Sequence, residues 1–326
     1  MMGSVRILAL GVLCALAIVL VGCSKKDEGR TPAAHAGMSV VTTLFPLYDF
    51  ARNVAGDRAE VTLLLPPGME PHSFEPRPED IVRVSRASLF VYTNRAMEPW
   101  AADILKGVGG GGPTVVDASR GARLLAAAGI HEHGDHHNEG DHHDGPHDET
   151  RMDPHLWLDF ANAQRMVDNI AAGMAERDPA NREAYLANAA AYKAKLAHLD
   201  ERYRQGLASC SSRTVVHGGH FAFGYLAARY GLRYEAAFAA SADAEPTPAK
   251  LAALVKRIRT EGVRTIYTEE LIDPRTAETI ARETGAAILP LNGAHTVSRD
   301  DLARGVTFIS LMEKNLENLR KGLQCR

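Results

Sequence analysis

The chain has 326 residues, 45% of them hydrophobic and 24% charged, with 14 histidines and a formal net charge of −3. Near neutrality without a basic patch excludes nucleic acid as a partner. The length is enough for two domains with real cores.

Read from the start, Arg6 provides a positive n-region and Ile7 to Val21 an apolar core. That core is shorter than the ~20 apolar residues a spanning helix needs, so residues 1–22 read as a signal peptide. An uncleaved helical anchor is the alternative. Gly22-Cys23 resembles the bacterial lipobox, in which the cysteine is lipidated and becomes the mature N-terminus. Residues 23–38, rich in Gly, Pro, Ala and charge, then form a lipid-anchored flexible tether. The expected address is extracytoplasmic, at the periplasmic face of a bacterial membrane.

Short β-branched runs then alternate with helical patterns. Strands are expected at Ser39–Phe45, Glu60–Leu65, Ser88–Tyr92 and Thr114–Asp117, with helices near 46–56, 78–86 and 97–106. After 208 the rhythm returns. Strands are expected at Thr214–His217, Leu232–Ala236, Val263–Thr268 and Ala287–Leu291, with helices near 220–230, 248–261, 274–284 and 300–321. Such alternation argues for α/β architecture with parallel sheets. Between the halves, Tyr185, Leu186, Tyr192, Leu196, Leu199, Tyr203 and Leu207 keep one apolar helical face. With Asp178-Pro179 as a start signal, one helix from about 179 to 207 is predicted, roughly 40 Å long. The divisions are an N-terminal β/α lobe over 39–177, a linking helix over 178–208 and a C-terminal β/α lobe over 209–326.

Half of the histidines lie in one run, His131, His133, His136, His137, His142, His143 and His147, interleaved with Asp, Glu and Gly. Such a segment buries too little surface to offset its ordering entropy, so it reads as a mobile loop. Neutral imidazoles favour zinc, copper and nickel. A solvated charged linker is the bland alternative.

Among the other seven, His35 falls in the tether and His198 on the exposed side of the long helix. The remaining five sit in turns or at strand ends: His72 after Glu60–Leu65, His155 before Trp157, His217 at the end of Thr214–His217 and His220 just after it, and His295 after Ala287–Leu291. Open α/β sheets bind ligands beyond the carboxyl ends of their strands. Any one of these histidines is more often a hydrogen-bonded loop residue than a ligand, but several at equivalent positions in two lobes shift that balance. The spacing matches neither a zinc finger nor H-E-x-x-H. Widely separated ligands instead describe a reversible site in a cleft. Four nitrogens would close a tetrahedron around zinc and leave no position for an activated water.

The lipobox, Leu64-Leu65-Pro66-Pro67-Gly68-Met69-Glu70-Pro71-His72, Asp153-Pro154-His155-Leu156-Trp157, His220-Phe221-Ala222-Phe223-Gly224 and Thr268-Glu269-Glu270 together resemble the metal-specific solute-binding proteins of bacterial zinc and manganese ABC importers. The resemblance covers the mature chain in order. It implies two β/α lobes joined by a rigid helix, with metal in the cleft, and carries His72, His155 and His220 over as ligands. His295 falls at the fourth position, with Glu269 as the competing candidate, and His217 is the rival to His220. The His-rich run lies where zinc-type relatives carry theirs, which favours Zn²⁺. One departure is that Pro71, rather than Glu, precedes His72, which leaves Glu70 without an assigned role.

The leading expectation is therefore a monomeric, lipid-anchored receptor, not an enzyme, that passes Zn²⁺ to an ABC permease. Alternatives are a manganese or iron receptor of the same family, a surface zinc store or adhesin, and a zinc hydrolase using Glu269 or Glu270 as base. Cys210 and Cys325 are either a disulfide, two free buried thiols or, less consistently with their spacing, metal ligands.

Overall fold

The computed structural model describes residues 37–108, 111–126, 152–238, 247–269 and 273–326. The signal-peptide reading, the tether reading up to residue 36, Cys23, His35, the His-rich run and Glu270 lie outside the described residues; Met38, placed at the end of the tether, instead opens the first strand and is buried.

Two four-stranded sheets organise the chain. β1 (Met38–Thr42), β2 (Ala59–Leu63), β3 (Leu89–Tyr92) and β4 (Thr114–Asp117) form the first, in the order β2-β1-β3-β4. β5 (Thr214–His217), β6 (Arg233–Ala236), β7 (Thr265–Thr268) and β8 (Ala287–Pro290) form the second, in the order β6-β5-β7-β8. Every pairing is parallel. Central parallel strands are covered on both faces and read as continuous β-branched runs. Val40 and Val41 in β1, and Val215 and Val216 in β5, are accordingly buried.

The helices are α1 (Phe45–Ala55), α2 (Pro78–Ser85), α3 (Ala101–Val108), α4 (Phe160–Arg177), α5 (Arg182–Gly206), α6 (Gly224–Tyr230), α7 (Pro248–Glu261), α8 (Arg275–Thr284), α9 (Arg299–Ala303) and α10 (Phe308–Gly322). Three differences from the sequence reading have local causes. The first strand stops at Thr42 because Pro46 lies in the opening turn of α1, where its fixed φ suits a helix. The expected helix 300–321 is two helices. Gly305 takes φ +73, and Thr307 then caps α10 by accepting from Ser310 N. The third difference is α4, which the sequence reading did not anticipate. Asp159 caps it by accepting from Ala161 N, and Phe160, Ala163, Met166, Val167, Ile170 and Met174 form its buried stripe.

The predicted linking helix is α5, entered through a 3-10 turn at Pro179–Asn181. It ties to the first lobe through its N-terminal half: Asn188 Nδ2 donates to Val54 O at 3.0 Å, and Tyr192 Oη to Asp49 Oδ2 at 2.7 Å. Its C-terminal half ties to α10, where Tyr203 Oη donates to Met312 O at 2.6 Å. Asp49 Oδ2 also accepts Phe308 N at 3.2 Å, joining α1 to the start of α10. A single apolar core, from Val40 in β1 through Tyr203 and Val215 to Leu319, runs across both lobes. A smaller cluster around Val216, Ile258, Ile266 and Ile280 fills the other face of the second sheet. Cys210 and Cys325 form a disulfide that fastens the chain end to the start of the second lobe. No helix among the described residues is long and apolar enough to cross a membrane.

Candidate metal centre

The loops beyond the carboxyl ends of both sheets bring together five histidines and one glutamate. His72 follows β2, and His155 opens the 3-10 turn Leu156–Leu158 before α4. His217 ends β5, His220 follows it, Glu269 follows β7 and His295 follows β8. The ligand-capable atoms of His72, His155 and His220 lie within 4.8 Å of one another, as do those of His220, Glu269 and His295. His220 is common to both groups. All but half-buried His72 are buried. The exposed His198 on α5 lies apart from them, as the sequence predicts.

At the centre, Nε2 of His220 faces Nε2 of His155 at 3.2 Å. Two zinc–nitrogen bonds of ~2.0–2.1 Å at a tetrahedral angle set nitrogens about 3.3 Å apart, so the spacing suits a shared cation. Each ring presents that nitrogen because its other one faces a carboxylate. Nδ1 of His155 lies 2.8 Å from Asp153 Oδ1, which also accepts His155 N at 3.0 Å. This short D-x-H turn fixes ring and backbone together. Gly224 of α6 approaches so closely that a Cβ there would lie 2.6 Å from Asp153 Oδ2, so the second lobe closes over that carboxylate. Nδ1 of His220 lies 2.9 Å from Glu269 Oε1, an ion-pair distance off the line of a hydrogen bond. Glu269 also stands 3.7 Å from His217 Nε2 and 3.7 Å from His295 Nε2.

His72 Nε2 and His295 Nδ1 are buried without a hydrogen-bond partner. Such orphaned nitrogens are costly unless something else occupies them. Side chains hold the backbone of the His72 loop. Glu70 Oε1 accepts His72 N at 3.1 Å, and Trp100 Nε1 donates to Pro71 O at 2.9 Å, one residue before His72. Glu70 thereby shapes the loop, a role the sequence left open.

The electrostatics favour neutral rings that are ready to ligate. Burial, reinforced by the neighbouring His220 and His295, pushes His72 down to about 3. Burial likewise holds His155 well below its ordinary range. His217 falls to about 4, through burial only partly offset by Glu269. Burial also lowers His295, against the pull of Glu269. His220 is the exception: burial opposes its charge, but Glu269 outweighs that and raises it. For Glu269 itself, burial favours the neutral acid, yet the attraction of His220, His217 and His295 holds it at about 2. Asp153 is pushed up to about 7 by burial.

The structure thus brings together all four histidines expected as ligands, with the alternative Glu269 between His220 and His295. His217 does not face the central space. Its Nδ1 lies 3.2 Å from His220 O, so it braces the loop from beneath. Sequence reasoning did not assign Asp153, although an aspartate two residues before a buried histidine is a local sign of such a turn.

Comparison with known proteins shows the family. The family model described as zinc-uptake complex component A, periplasmic, matches residues 40–322. The chain is 36% identical over 313 residues to the high-affinity zinc uptake system protein ZnuA of Bacillus subtilis, covering 96% of each. It is 36% identical over 314 residues to the zinc-binding lipoprotein AdcA of Streptococcus pneumoniae, covering 96% of this chain and 60% of that longer protein. The solved Zn(II)-bound ZnuA-like domain of AdcA from the same species has a TM-score of 0.72 at 33% identity, covering 88% of this chain and 99% of that one.

Proposed function

We propose that this chain, which belongs to the family of periplasmic zinc-uptake component A proteins, holds Zn²⁺ between His72, His155, His220 and His295 and delivers it to an ABC import permease. It is an extracytoplasmic receptor and not an enzyme, with zinc as cargo. The observation that carries the ligand set is the facing pair of Nε2 atoms of His155 and His220, 3.2 Å apart, each backed by a carboxylate on the opposite ring nitrogen. A carboxylate on the far nitrogen fixes tautomer and aim, the usual arrangement behind metal-bound histidine.

This reading makes Glu269 the orienting partner of His220 and leaves the fourth corner to His295. Four imidazoles suit zinc, whereas manganese prefers carboxylate oxygen. The divisions 39–177, 178–208 and 209–326 serve as lobe, strut and lobe. Anchoring through Cys23, a monomeric state and a collecting role for the run from His131 to His147 complete the proposal, supported by sequence pattern.

The test is zinc stoichiometry and competition on the soluble form beginning after Cys23, with and without residues 131–148. One tight site that survives the deletion and collapses in His72→Ala and His220→Ala supports the cleft receptor. Binding that vanishes with the deletion and ignores both substitutions would replace it with a histidine-tract buffer.

A further inference from the structure

Trp157 donates no ligand atom, yet it touches both sides of the centre. Its side chain is fully buried, and its ring stands 5.6 Å from that of His155, edge to face. Its indole Nε1–H donates to the carbonyl oxygen of Gly293 at 2.8 Å, across 136 residues of sequence. Gly293 lies two residues before His295 in a turn without regular secondary structure.

That turn is unusually constrained. Ala294 takes φ +59, a left-handed conformation that a residue with a Cβ adopts only where its surroundings impose it. Asn292 Oδ1 accepts Ala294 N at 2.7 Å, and Asn315 holds Asn292 N and O at 2.8 and 2.7 Å. The His295 ring packs on Gly293, where a Cβ would meet Nδ1 at 2.8 Å. His155 and His220 each have a carboxylate within 3 Å of the outer ring nitrogen. His295 Nε2 lies 3.7 Å from Glu269, the carboxylate it shares with His220, and its Nδ1 has no hydrogen-bond partner. Its aim therefore depends on the backbone turn, which the first half of the chain holds at two points: the indole N–H on Gly293 O at 2.8 Å and, more weakly, Phe45 N on His295 O at 3.4 Å.

We propose that Trp157 is a positioning residue for the metal centre: its N–H pins the Gly293 carbonyl and so holds the Ala294 turn in the form that points His295 at His155 and His220. The inference rests on reading His295 as the fourth ligand. Trp157 then couples two ligands from opposite halves, packing edge to face against one and carrying the loop of the other.

Trp157→Phe keeps most of the ring and removes the donor. Zinc affinity by chelator competition and the visible spectrum of the Co²⁺-loaded protein should be measured in wild type, Trp157→Phe, His295→Ala and the double variant. The expected result is a loss of ~10-fold in zinc affinity for Trp157→Phe, the scale of an outer-shell contact, with a changed Co²⁺ band. In the His295→Ala background the same substitution should add nothing. Unchanged affinity and spectrum overturn the inference, as does a loss that persists in full without His295. If His295→Ala itself changes neither, the ligand assignment fails, and the inference with it. Should Trp157→Phe not fold, Asn292→Ala loosens the same turn at a half-buried position. It must show the same His295-dependent loss, and indifference there also overturns the inference.

Discussion

The two lobes share one strand permutation but use its switch point differently. In the first sheet the order reverses between β1 and β3, and buried Glu98 occupies the space beyond them. It accepts Thr43 Oγ1 at 2.5 Å, Thr93 N at 3.0 Å and Asn94 N at 3.1 Å. Burial pushes it up to about 7 even so. In the second sheet the reversal lies between β5 and β7, and Glu269 stands there among imidazoles, held at about 2. The same side chain at the same topological place thus closes one lobe and equips the other. Neutral N–H and O–H donors make a carboxylate structural, whereas imidazoles that also face outward make it part of a metal centre.

The comparison breaks most visibly if the ligands are removed. His155→Ala or His220→Ala should weaken zinc by more than the ~100-fold that outer partners are worth, read by calorimetric titration. Next come the carboxylates behind them. Asp153→Asn and Glu269→Gln should each cost ~10–100-fold. A loss for Glu269→Gln exceeding that for His295→Ala would move Glu269 into the coordination sphere.

pH sharpens the contrast. His72 and His155 are neutral well below their ordinary range, whereas His220 is raised, so it is the first proposed ligand to bind a proton as pH falls. Zinc must displace that proton. Affinity should therefore level off above the His220 pKa and fall about tenfold per pH unit below it, a slope of one proton rather than four. A slope of two or more at pH 5–6 contradicts this ordering. The two carboxylates also give the metal-free protein opposite trends. The Glu269 pKa is below its ordinary value, so its contribution is present above about 4.5 and lost as pH falls towards 2. The Glu98 pKa is above its ordinary value, so its contribution is full below about 4.5 and lost as pH rises to about 7. Glu98→Ala should erase that second trend in thermal melts. It should cost on the order of a few kcal/mol by orphaning three donors, with little change in zinc affinity. The smallest effect is expected from deleting 131–148, which should leave the affinity of the central site unchanged.

Much of this was legible in the sequence. Strands such as Thr214–His217 carry their burial in β-branched runs, and α5 announces itself through Tyr185, Tyr192, Leu196 and Tyr203 on one face. The four proposed ligands stand out because polar imidazoles at strand ends have no structural reason to recur there. The helix α4 was legible in principle, since Asp159 and the stripe from Phe160 to Met174 follow the cap-and-period rule, but the Asp153–Asp159 motif masked its start. What left no local trace was the wiring. The bond from Trp157 to Gly293 and the folding of Glu98 under Thr43 join residues with no sequence relation, and only tertiary arrangement creates them.

The spacing of the proposed ligands has a thermodynamic consequence. Each is at least 65 residues from the next along the chain, so an unfolded polypeptide has no way to gather them. The central site therefore exists in the native state alone, and its occupancy and folding rise together by mass action. Free metal at a hundred times its dissociation constant adds ~2.7 kcal/mol to the stability of the fold. A cell short of zinc would hold not only emptier receptors but shorter-lived ones, so that the cargo sets the lifetime of its own carrier.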